Sequence, residues 1–243
     1  MLDSVVYFLK NSFHCCMANK KHTVMFILLI FLFAFIFGLL DGIYAAIAIV
    51  IYIVLYNSYG MQLTREVING REELPKFNFK DIKLGIWATI IFAIYIVIQT
   101  LFLAAISFLF DFPRFEIEEF VFNFQETFHL IYNHNPISSL LFFALSIVIL
   151  YITVFFLEIA LAQLADGGSL RNSFNLKLLK EYIEKIGWYN YTKDYTIVLI
   201  ILMILTLLEF APIFNDVLSV FSYILIFIVE FCAIGLIFRK TKT

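Results

Sequence analysis

Two carboxylates stand where carboxylates are costly. Glu158 and Glu230 each fall inside a long apolar run, eight residues before Asp166 and nine before Arg239. If the runs are helical, a rise of about 1.5 Å per residue puts both roughly 12–14 Å from the charged end of their run. At similar depth they could face each other. An ionisable group inside a membrane span is expensive and is by default a functional candidate. Two close carboxylates can share one proton, which is the chemistry of a proton-coupled carrier. The plainer alternative is that each glutamate pairs with a nearby basic residue, stays protonated, or lines a small water-filled dip. Gln99, Thr100 and Glu209 are weaker candidates, expected to make hydrogen bonds between helices.

Glu126, His129 and His134 form the cluster that most resembles metal ligands. Glu126 and His129 share a face if that stretch is helical. Carboxylate sites need several such contributions, however, and a lone Glu-x-x-His is weak. No metal or cofactor is expected. Phe120, Phe124, Phe128 and Ile131 instead suggest an amphipathic helix on the outer surface, started by Asp111 and Pro113. The chain has no Gly-x-x-x-x-Gly-Lys-Ser/Thr loop, no His-Glu-x-x-His, no Cys-x-x-Cys and no Gly-x-Ser-x-Gly elbow. Gly167-Gly168-Ser169 is a loop and helix-start signal. The loops are too short to hold a soluble catalytic domain, so no enzyme is expected and no catalytic residue is assigned.

The elements that position these residues follow from composition. Of 243 residues, 63% are hydrophobic and 15% charged, whereas a soluble domain is about half apolar and a quarter charged. A net charge of −2 offers nothing to a phosphate backbone, so nucleic acid is not an expected partner. The 30 Phe and 13 Tyr are expected to face lipid or pack between helices. What remains is an all-α integral membrane protein forming one multi-pass domain over residues 1–243. Apolar runs at about 24–40, 43–59, 84–109, 137–163, 195–210 and 217–238 predict six spanning helices. The first two form a hairpin turning at Asp41-Gly42. The first run is not a cleaved signal peptide, since its charged leader is long and further spans follow.

Every Lys and Arg except Arg114 then falls on one face, which predicts a cell-membrane protein with both termini cytoplasmic. The opposite face is acidic, with Asp111, Glu116, Glu118, Glu119, Glu126 and Asp216. Cys15 and Cys16 would sit in the reducing cytoplasm and Cys232 inside the last span, so no disulfide is implied.

Surface helices are predicted as well. Leu2, Val5, Val6, Leu9, Phe13 and Cys16 recur near helical spacing, suggesting an interfacial helix within residues 1–22. Phe77-Asn78-Phe79-Lys80-Asp81-Ile82-Lys83 echoes Phe174-Asn175-Leu176-Lys177-Leu178-Leu179-Lys180. Asn is a good N-cap, so Asn78 and Asn175 are expected to start short helices. Their apolar faces would rest on the membrane, with Lys80, Lys83, Lys177 and Lys180 reaching lipid phosphates. Leu176, Leu179, Ile183 and Ile186 continue the second face, and Gly187 is its stop. A span–surface helix–span unit used twice in one orientation is a parallel repeat.

The run Arg71-Glu72-Glu73-Leu74-Pro75-Lys76-Phe77 resembles the Leu-Pro-x-Phe signature of domain of unknown function family 4013, a family of archaeal and bacterial multi-pass membrane proteins. Ala165-Asp166-Gly167-Gly168-Ser169-Leu170-Arg171-Asn172-Ser173-Phe174 resembles its second cytoplasmic motif. The stretch after the first signature departs from the family pattern, with Phe79 and Lys80 where an aromatic residue and acidic residues follow the Phe. The resemblance implies the architecture and no activity.

Three functional readings follow. The first is a non-enzymatic protein that organises or assists other membrane components, with the bilayer and a membrane-protein partner as its contacts. The second is a small transporter using Glu158 and Glu230 as its coupling pair. The third is a lipid-responsive sensor or regulator acting through the four surface lysines.

Overall fold

The computed structural model describes residues 2–18, 21, 22, 24, 40–71, 73–76, 78–109, 136–209 and 216–242. The described elements are helical. They are α1 (Leu2–Ala18), α2 (Gly42–Ile68), α3 (Ile82–Leu109), α4 (Pro136–Ala165), α5 (Leu176–Ile186), α6 (Trp188–Glu209) and α7 (Asp216–Arg239), with 3-10 turns at Phe79–Asp81 and Asn172–Phe174. Five helices, α2, α3, α4, α6 and α7, are long and apolar enough to cross a membrane. The first predicted span, 24–40, lies outside the described residues except at its ends. So do Glu126, His129, His134 and the predicted outer surface helix.

Helices α3, α4 and α7 begin and end within a turn of their apolar runs, because a helix satisfies its own backbone where water is absent. Two helices outrun theirs. Helix α2 continues past Tyr59 to Ile68, and α6 starts at Trp188 rather than Tyr195. Hydropathy fails there because the extensions carry polar groups, yet Gln62, Thr64 and Asp194 are buried.

The chain divides into two compact units, Met1–Ile91 with Glu158–Thr243, and Phe92–Leu157. In the first, α7 is the central helix, packed by α2, α6 and α1. Every residue from Phe231 to Phe238 is buried. Gly60 makes the α2–α7 crossing possible, since a Cβ there would lie 2.4 Å from the Phe231 ring. Thr64 donates to the Phe231 carbonyl at 3.0 Å beside it. Tyr56 meets Phe227 edge-on at 4.6 Å, and Phe227 meets Phe231 at 4.9 Å, distances at which aromatic pairs add to simple burial.

Helix α1 covers the stretch expected to form an N-terminal surface helix. It packs on α6 and α7 and buries Phe8, Ser12 and Cys15, while Val6, Leu9 and Phe13 from the predicted face are exposed. The Val6, Leu9, Phe13 face is left open, and another side of the helix meets protein. In the second unit Ile96, Val97, Leu101, Phe102, Ile147 and Val148 are exposed. Thr100 and Ser146 donate to carbonyls one turn back on their own helices, and among the described residues Thr100 makes no inter-helix bond of the kind expected of it.

Candidate functional site

Glu158 and Glu230 both belong to the first unit. Glu158 is only 6% exposed and faces a cavity of about 10 Å³ beside Tyr191, Ile234 and Ile237, room for about one water. Each carboxylate lies within range of the other's charge, and Tyr56 is within range of Glu230. Among the described residues neither carboxylate has a hydrogen-bond or ion-pair partner. The basic partner that would make each glutamate merely structural is therefore not found among those residues. The pair could exchange a proton across the small cavity that Glu158 faces.

The densest polar structure lies elsewhere, at the end of α2. Gly70, in a left-handed conformation at φ +83°, turns the chain after Ile68, a backbone region that only glycine adopts freely. The irregular backbone that follows needs hydrogen-bond partners, and buried side chains of α2 supply them. Tyr59 OH donates to the Pro75 carbonyl at 3.1 Å. Gln62 donates to the Asn78 carbonyl at 3.2 Å and accepts the Asn78 N–H at 3.3 Å. Ser58 donates to the Asp81 carbonyl at 3.1 Å. Arg65 meets the Asp81 carboxylate at 3.1 Å. His22 reaches the Leu74 carbonyl at 3.0 Å. Of these residues, His22, Gln62, Arg65, Asn78 and Asp81 line a cavity of about 360 Å³ beside Leu74 and Pro75.

The loop after α4 is built on the same positions. Gly167 has φ +95°, two residues after the helix end, as Gly70 is. Asn175 caps α5 by accepting the Leu178 N–H, ten residues after the helix end, as Asn78 caps its turn by accepting the Lys80 N–H. Here the interior is closed. Ser173 shares its proton between the Ala160 carbonyl at 3.3 Å and Gln163 Oε1 at 3.1 Å, and Gln163 lies against Gly168. Arg65 joins the two loops, since its Nε donates to the Ala165 carbonyl at 3.1 Å. The C-terminal segment reaches the same end, with Lys242 paired to Asp166 and Lys240 to the buried Asp194.

The two predicted surface helices diverge. Asn175 does start a helix, and Gly187 ends it at φ +89°. Its apolar face does not await the membrane: Leu179, Ile183 and Ile186 are buried by protein, while Leu176 is exposed. Asn78 starts only one 3-10 turn, which runs directly into α3, because no glycine breaks the chain before the apolar run. Lys80, Lys83, Lys177 and Lys180 are all exposed. The polar set Asn57, Ser58, Gln62, Thr64 and Arg65 was not singled out from the sequence. Its signal was present, as polar residues recurring at helical spacing beyond an apolar run.

Among the described residues, five helices long and apolar enough to cross a membrane make this an all-helical, multi-pass membrane protein. The family described as "Protein of unknown function (DUF4013)" matches residues 42–238, and the chain belongs to it. No curated protein and no solved structure matches the chain.

Proposed function

We propose that this is a non-enzymatic protein of the cell membrane that organises or assists other membrane components. One observation carries the reading. Among the described residues, many of the bonded polar side chains gather at one end of the first unit, around two loops held by Arg65. Such an end suits presentation of a fixed surface to a partner. Both loops and the C-terminal segment are tied together there, which supports placing them on the cytoplasmic side with the basic residues. The matched positions of Gly70 and Gly167, and of Asn78 and Asn175, support a parallel repeat. The exposed face of α1, with Val6, Leu9 and Phe13, and the exposed lysines of α5 suit helices at the inner membrane surface. The test is gentle extraction of tagged protein from its own membranes. A stoichiometric partner or selected lipid, recovered reciprocally, is expected. A protein that is repeatedly recovered alone overturns the reading.

A transporter is the second reading, favoured by two carboxylates within range of each other's charge and without a partner among the described residues. It requires pH-driven flux in proteoliposomes that disappears in the Glu158→Gln, Glu230→Gln double variant while folding is kept. Unchanged flux removes the mechanism.

A further inference from the structure

The cavity beside Leu74-Pro75 has the size and lining of a ligand site. At about 360 Å³ it falls in the usual range for small-molecule sites. Its buried lining includes Gln62 and Leu74. Around them stand three cations, Arg65, Arg71 and Lys76, and three anions, Glu66, Glu73 and Asp81. Four of these six are already committed to one another. Arg65 pairs with Asp81 at 3.1 Å and Arg71 with Glu66 at 3.0 Å, each through Nη1. A guanidinium has five N–H donors in a fixed fork, so each pair orients its arginine and leaves further donors free to bind.

Lys76 and Glu73 behave differently. They line the same cavity with opposite charges and are three residues apart. Yet neither pairs with the other or with any other described residue. A cation and an anion that line one cavity without pairing match a ligand that carries both charges.

We propose that this cavity binds a phosphoethanolamine group, a phosphate and a primary ammonium separated by two carbons. Lys76 and the remaining N–H groups of Arg65 and Arg71 take the phosphate, for which arginine forks are well shaped. Glu73 takes the ammonium. A purely anionic group would leave Glu73 opposed to it. A trimethylammonium could not donate a hydrogen bond to the carboxylate. The group can come from a lipid headgroup or from a soluble molecule, and the site is independent of whether the protein organises partners or carries a solute.

The test uses full-length protein, purified in detergent and stripped of lipid. Native mass spectrometry compares its retention of phosphatidylethanolamine, phosphatidylcholine and phosphatidylglycerol, and thermal unfolding is followed with millimolar O-phosphoethanolamine. At least tenfold preference for phosphatidylethanolamine, without a response to O-phosphoethanolamine, identifies the lipid source. Stabilisation by O-phosphoethanolamine identifies the soluble one. Glu73→Gln should abolish discrimination against phosphatidylglycerol, and Lys76→Gln should weaken retention of phosphatidylethanolamine severalfold. Both side chains are exposed, so folding should survive, and the wild-type comparison stands without either variant. Equal retention of the three lipids with no response to O-phosphoethanolamine overturns the proposal. So does a preference that survives both substitutions.

Discussion

The two loops of the first unit share a scheme and differ in content. Each follows a long helix, turns at a glycine two residues on, and reaches a capping asparagine ten residues on. In the second, Gln163 and Ser173 fill the interior with hydrogen bonds to one another and to α4. In the first, Gln62, Tyr59 and Ser58 bond to the loop backbone instead, and a charged cavity stays open beside them. The difference teaches that backbone scheme and side-chain filling are separable. One loop is closed by its own helix, and the other is held at its edges.

Breaking the closed loop should have the largest effect. At Gly168 a Cβ would lie 2.7 Å from the Gln163 backbone carbonyl as well as against its side chain. Gly168→Val should therefore destabilise by about 2–3 kcal/mol, as overpacking does, seen as a lowered Tm in detergent. Next comes the residue common to both loops. Arg65→Ala leaves the Ala165 carbonyl and the Asp81 carboxylate without their donor, a loss of about 1–3 kcal/mol. Hydrogen exchange should rise in both loops, and a rise in one alone would show that they are not coupled. Gln62→Ala and Ser173→Ala should each cost about 1 kcal/mol and should loosen only the first and second loop respectively. Asn175→Ala should cost about 1 kcal/mol and raise exchange along α5, whereas Asn78→Ala should affect little beyond Lys80. Smallest is Lys242→Met. Its pair with Asp166 is largely solvent-screened, so a change of no more than about 0.5 kcal/mol is expected.

Most of the spans were legible because continuous apolar runs leave a helix as the only backbone solution. Asn175 and Gly187 were legible because capping is local chemistry. What escaped was non-local. Nothing in the spacing of Gln62 says that its amide will meet Asn78 across a turn, and a hydropathy reading ends α2 where such residues begin. Helix α1 shows a second limit. Its Phe8 and Val6 are both apolar, and periodicity cannot tell which will meet protein. Of the candidate site, Glu158 and Glu230 stood out as charges within apolar runs. The cavity at Leu74-Pro75 did not, since its lining comes from separate segments.

The burial of α7 bears on how the protein is made. This helix leaves the ribosome after α1, α2, α5 and α6, all of which pack against it. Until it arrives, Gly60 faces no ring and the Thr64 hydroxyl has no Phe231 carbonyl to bond. Helices inserted earlier must therefore wait in the bilayer with their partner surfaces uncovered, stable as individual spans but not yet assembled. Biogenesis thus holds a window in which the surfaces that α7 will cover stand open.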